Sequence, residues 1–138
     1  MTNHLATIRE YYDLGERQDY RAIAARLIGD SYTWIDHTTD MVATTQEQLQ
    51  AATVEDLQWS DWKFVIDRAI EIADNEVIVF VTTTQTLTGE WRGVKGTGQQ
   101  VRREIREIFH FDADGRIVHE EAYWDALSVR RQLGAVSI

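Results

Sequence analysis

The segment 99–133, QQVRREIREIFHFDADGRIVHEEAYWDALSVRRQL, constrains the fold more than any other part of the chain. Residues 101–111 and 116–124 are rich in β-branched and aromatic side chains, the composition of two long strands. Between them lie Asp112, Ala113, Asp114 and Gly115, a turn whose glycine can take the positive φ that closes a hairpin. The second strand runs into Asp125, a good N-cap for a helix over 126–133, and Gly134 is placed to stop it. A hairpin of this length cannot stand alone, because each strand has an apolar face that must be covered.

At 138 residues the chain is expected to form one domain over 1–138, with a sizeable core. It has no cysteine, which excludes disulfides, thiolate nucleophiles and cysteine-ligated metals. The N-terminus has no basic-then-apolar leader pattern, and no run approaches the ~18 apolar residues of a membrane span. A soluble cytoplasmic protein with no membrane partner is the expectation. The net charge of −9 argues against nucleic acid, whose binding needs Lys and Arg to neutralise phosphates. Arg102, Arg103 and Arg106 form a local basic cluster, but glutamates interrupt it, and it reads as a solvated strand face. Five tryptophans and five tyrosines fill either a large core or an apolar ligand cavity.

From the N-terminus, Asn3 or Thr2 can cap a first helix with an apolar stripe of Leu5, Ile8 and Tyr12 that ends near Gly15. Asp19 caps a second, with Tyr20, Ile23, Ala24, Leu27 and Ile28 inward and Gly29 as its stop. A strand over 31–37 puts Tyr32, Trp34 and Asp36 on one face and Thr33, Ile35 and His37 on the other. A loop over 38–43 leads to a third helix over 45–57, where Thr45 and Gln48 have capping-box spacing. The strand over 59–73 places Trp62, Phe64, Ile66, Ile70 and Ile72 on one face. The strand over 76–88 has apolar residues on both faces, as in a buried central strand, and the loop over 89–98 carries Trp91. This order predicts an α+β domain: helices against a curved antiparallel sheet, wrapped into a cone with an apolar pocket. Such curvature requires bulges or glycines.

No metal motif is visible. His4, His37, His110 and His119 have no ligand spacing along the chain, and no phosphate-binding loop or nucleophile elbow occurs, so neither metal nor cofactor is expected. The chemistry falls to carboxylates aimed inward by parity. Ile105, Glu107 and Phe109 share a face, as do Val118, Glu120, Ala122 and Trp124. Between Ile105 and Phe109, Glu107 is expected to be desolvated and neutral; the competing reading pairs it with an arginine on an exposed face. Asp36 is either a proton-transfer group or a turn-forming aspartate. Two carboxyls in one apolar pocket push their pKa values apart, leaving one acid and one base.

The pattern Phe109-His110-Phe111, acidic-glycine turn, Arg116-Ile117-Val118 and Ala122-Tyr123-Trp124 resembles the nuclear transport factor two-like superfamily. It is similar to ketosteroid isomerases and to SnoaL-like polyketide cyclases. The loop over 89–98, Tyr123-Trp124-Asp125 and Gln132-Leu133-Gly134 resemble the SnoaL-like branch more closely. The isomerase pattern implies Asp36 as general base, Tyr11 and Glu107 as oxyanion-hole donors, and Trp124 as a pocket wall. In the cyclases the acid/base aspartate of the last strand would fall near Ala122, which cannot transfer a proton; Glu120 on the same face is the substitute. Tyr32, Trp34, Trp59, Trp62, Phe80, Phe109 and Trp124 are then expected to wall a small hydrophobic substrate. The implied function is cofactor-free isomerase, cyclase or dehydratase chemistry on a polyketide- or steroid-like carbonyl compound. Epoxide hydrolysis or epoxide-opening cyclisation, a non-catalytic hydrophobic-ligand pocket, and a structural interaction domain are the alternatives. A homodimer through the broad sheet is expected.

Overall fold

Asn3 accepts from the Ala6 amide and so starts helix α1, His4–Glu16, in a computed structural model that describes residues 3–136. Thr2, the alternative cap, lies outside the described residues. Asp19 accepts from the Ala22 amide and starts α2, Tyr20–Arg26. Gly15 lies inside α1, and Gly29 belongs not to the end of α2 but to strand β1, Ile28–Asp36. Within the expected loop there is a short strand, β2, Met41–Ala43. Helix α3, Gln46–Asp56, has a split capping box: Thr45 accepts from the Gln48 amide, and the Gln48 side chain accepts from the Thr44 amide.

Strands β3, Trp59–Ala73, and β4, Glu76–Leu87, form a long hairpin. A two-stranded ribbon follows, β5, Glu90–Trp91, and β6, Val94–Lys95. Strands β7, Gln99–Phe111, and β8, Ile117–Trp124, form the second long hairpin. Its turn is closed by Gly115 at φ 81° and by Asp112, which accepts from the Asp114 and Arg116 amides. Asp125 caps the last helix, α4, Ala126–Gln132, and Gly134 beyond it sits at φ 72°. Gln132 then clasps the backbone N–H and C=O of Arg102, tying α4 to β7.

The six strands run in the order β2-β1-β8-β7-β4-β3. All neighbours are antiparallel except β1 and β8, which are parallel. Helix α1 crosses the concave face. Two apolar clusters flank a hollow. One packs Ile8, Tyr12, Leu14 and Ile23 against Val77, Val79, Ile105 and Phe109, and the other gathers Trp59, Trp62, Leu87, Trp91, Val101 and Val129. Among the described residues no helix is long and apolar enough to cross a membrane.

Strand β3 departs from simple alternation. Its register shifts between Ser60 and Lys63, between Ile66 and Arg68 and again between Glu71 and Ala73, and Asp61 adopts φ 54°. These irregularities bend the strand and reverse its parity. Trp59 and Trp62 therefore both face inward, and the inner row continues through Phe64 and Ile66 to Ala69. Ile70 pairs with Ile78 on the outer face, and Ile72 is 50% exposed, so the single apolar face expected from 62 to 72 does not exist. Strand β4 is likewise buried on one face only, that of Val77, Val79 and Val81.

Candidate active site

Between α1, α3 and the concave sheet lies a cavity of about 820 Å³, large enough for a drug-sized ligand. All five tryptophans, Trp34, Trp59, Trp62, Trp91 and Trp124, contribute to its walls. Tyr11, Tyr12, Tyr32, Asp36, Asp56, Arg103, Glu107, Glu120 and Ala122 also line it.

Strand pairing places the acidic groups. In one row across the sheet Asp36 is the partner of Ala122, and Ala122 of Glu107. Asp36 and Glu107 thus stand two strand spacings apart, about 10 Å at the backbone. The residue between them is an alanine, which leaves space over Ala122 for a ligand. The adjacent row runs Trp34, Glu120, Phe109 and Val77. Glu107 and Glu120 are therefore diagonal neighbours on adjacent strands.

Each carboxyl has built-in donors. Glu120, 1% exposed, accepts from the Tyr11 hydroxyl through one oxygen and from the Tyr32 hydroxyl through the other, both at 2.7 Å. Glu107, 6% exposed, accepts from the Tyr12 hydroxyl at 3.0 Å. Burial holds the Glu107 carboxyl well above the usual carboxylate range, and the negative charge of Glu120 and a hydrogen bond to it push the same way. The Tyr12 hydroxyl and the Arg103 charge act in the opposite direction and are outweighed. Its surroundings thus favour the neutral form of Glu107. Burial, reinforced by these carboxylates, also keeps Tyr11, Tyr12 and Tyr32 protonated, hence donors.

Asp36, 7% exposed, takes the Trp124 indole N–H at 3.1 and 3.0 Å and the Thr38 amide at 3.0 Å. Asp36 forms a turn, as one of the two readings has it, and its side chain also lines the cavity. Thr38 in turn bonds to the backbone of Trp124 through its hydroxyl, so the turn and the indole hold Asp36 as one unit.

Four lining residues escaped the sequence analysis. Tyr12, not Tyr11, bonds Glu107; the Tyr11 hydroxyl is committed to Glu120. Trp91 reaches the cavity from the β5–β6 ribbon. Asp56, at the end of α3, has its carboxyl pushed up to about 7 by burial, against the pull of Arg103. Arg103 lies on the inner face with Ile105 and Glu107, unlike Arg102 and Arg106, so the basic cluster is not one solvated face. Its guanidinium sits 4.7 Å from the Trp124 ring centre and 5.4 Å from that of Trp62. Extending the alternation from Glu107 and Ile105 by one step back reaches Arg103, and that signal was available in the sequence.

Of the expected wall residues, Tyr32, Trp34, Trp59, Trp62 and Trp124 line the cavity, but Phe80 and Phe109 do not. Phe80 lies on the outer face of β4, beneath the Arg106 guanidinium, because alternation from the buried Val79 and Val81 turns it outward. Phe109 is fully buried behind Tyr11 and Tyr12, edge-on to both rings, and supports the site as core.

A bent sheet closed by helices over buried carboxyls, phenols and indoles defines a cone-shaped α+β domain with an internal cavity. A family model described as SnoaL-like polyketide cyclase matches residues 6–133, and the chain belongs to that family. Its fold is similar to that of AclR, a candidate hydroxylase from Streptomyces galilaeus, with 20% identity, TM-score 0.83, and coverage of 98% of this chain and 87% of that one. A candidate SnoaL-like polyketide cyclase from Jannaschia sp. CCS1 has 20% identity and TM-score 0.82, covering 97% and 93%. IdmH, a candidate polyketide cyclase from Streptomyces antibioticus, has 18% identity and TM-score 0.80, covering 96% and 99%. At these identities the likeness is one of fold. No curated protein sequence matches the chain.

Proposed function

We propose that this protein is a cofactor-free acid–base enzyme, of cyclase or isomerase type, acting on a small hydrophobic polyketide-like carbonyl compound. The observation that carries the reading is the row Asp36, Ala122, Glu107: a carboxylate and a neutral carboxylic acid on opposite sides of an open position. In this reading Asp36 removes a proton α to the substrate carbonyl. Glu107, protonated, donates to the carbonyl oxygen as negative charge develops there, where a pre-positioned donor acts most strongly. Glu120, fixed by Tyr11 and Tyr32, stands diagonal to Glu107 and reinforces the neutral form of that acid. Two buried donors on the wall, Trp62 Nε1 and Arg103 Nε, have no acceptor among the described residues, and a carbonyl-rich substrate supplies one.

The test is α-proton exchange in D₂O, followed by NMR, with a steroid β,γ-enone and an aryl β-keto ester as probes. The wild type is expected to incorporate deuterium, and Asp36→Asn to lose about 10²–10⁴-fold in rate. Unchanged exchange in Asp36→Asn removes that residue as the base. Tight probe binding with no exchange in the wild type favours a ligand-binding pocket instead. The protein is further expected to act as a two-fold homodimer through the outer sheet face at β3 and β4, where Val65 is 58% exposed and Ile70, Ile78 and Phe80 are partly exposed.

A further inference from the structure

The outer face of the sheet carries a second cluster of chemical groups, far from the cavity in connectivity because its side chains point the opposite way. His110 of β7 and His119 of β8 are direct cross-strand partners. Their ring centres lie 5.1 Å apart. Glu121 follows His119 by two residues, hence on the same face, and its Oε2 lies 3.2 Å from His119 Nε2. One ligand atom from each of His110, His119 and Glu121 lies within 4.8 Å of the other two. All three are partly accessible.

The geometry points to a divalent transition-metal site of the zinc class, formed by His110, His119 and Glu121 on the outer face of the β7–β8 hairpin. Two imidazoles and one carboxylate are a donor set that zinc takes in three-ligand sites, leaving a fourth position to water. Bonds of about 2.0–2.2 Å in a tetrahedron put neighbouring donor atoms about 3.4 Å apart. The His119–Glu121 edge already has that length. His110 now makes a long contact of 3.5 Å to Glu76, which metal binding would release. Nitrogen-rich ligation selects against magnesium and calcium, which take oxygen. The histidine spacing along the chain shows no ligand pattern because the pairing register, not the sequence interval, brings the donors together. His37 also touches Glu121, through Oε1 at 2.7 Å, and stacks on Tyr123, but it does not come within the same reach of His110.

The test is titration of the tag-free protein with Zn²⁺ by calorimetry, and with Co²⁺ by visible absorption. One ion per chain is expected, with Mg²⁺ silent. His110→Ala and His119→Ala should each weaken binding by at least about tenfold with the circular dichroism spectrum unchanged, whereas His37→Ala should retain it. Should either variant misfold, paramagnetic broadening of wild-type NMR signals by Co²⁺ must centre on residues 110, 119 and 121. Absence of saturable binding, binding that survives both substitutions, one ion per two chains, or loss confined to His37→Ala would each overturn the assignment.

Discussion

Glu107 shows how one residue's surroundings set its chemistry. Its flanking Ile105 and Phe109 foretell burial, and burial is the largest cause of its raised pKa. Its partner was not legible: Tyr11 and Tyr12 are consecutive on α1, and only the helix rotation decides which hydroxyl meets which carboxyl. Removing that partner gives a direct prediction. Tyr12→Phe should destabilise the fold by about 1–3 kcal/mol in urea melts, because a buried acceptor loses its donor. The same change should raise the Glu107 pKa further, since the Tyr12 hydroxyl's hydrogen bond favours the charged carboxylate. Ala122 matters for what it leaves open. Ala122→Leu should fill the space between Asp36 and Glu107 and abolish probe exchange while the protein stays folded.

Elements were readable where alternation is unbroken and opaque where it is not. Over 32–36 of β1, 103–111 of β7 and 119–124 of β8 the faces follow simple parity, so Asp36, Glu107 and Glu120 converge on the cavity as their positions imply; the register shifts of β1 and β8 lie before these stretches. Strand β3 hides three register shifts, because a bulge costs one residue and leaves no compositional mark; no glycine stands at any of them. The placement of β1 parallel to β8 is a choice of packing between distant segments, which no local pattern encodes. Helix ends were more legible, since Asn3, Asp19, Thr45 and Asp125 each cap as their chemistry requires. Asp125→Ala should accordingly cost about 1 kcal/mol in thermal or urea unfolding, through loss of the bond to the Ser128 amide.

The molecule as a whole encloses acidic groups in an apolar hollow, and this couples folding to pH. Asp56 binds its proton more tightly in the native state, with a pKa near 7 against 3.8 when unfolded. Between those values the native state holds more protons than the unfolded one, so stability falls as pH rises. The contribution is complete below 3.8 and lost by about pH 7. Relative to wild type, Asp56→Asn should therefore gain stability across that window and stay level above it. Sedimentation or light scattering should find two chains per particle if the outer face pairs. The most direct test of the central claim is a ¹³C NMR titration of the glutamate side-chain carboxyls. One resonance should remain protonated at pH 7 and vanish in Glu107→Gln; every glutamate titrating near its ordinary value of 4.5 would contradict the account.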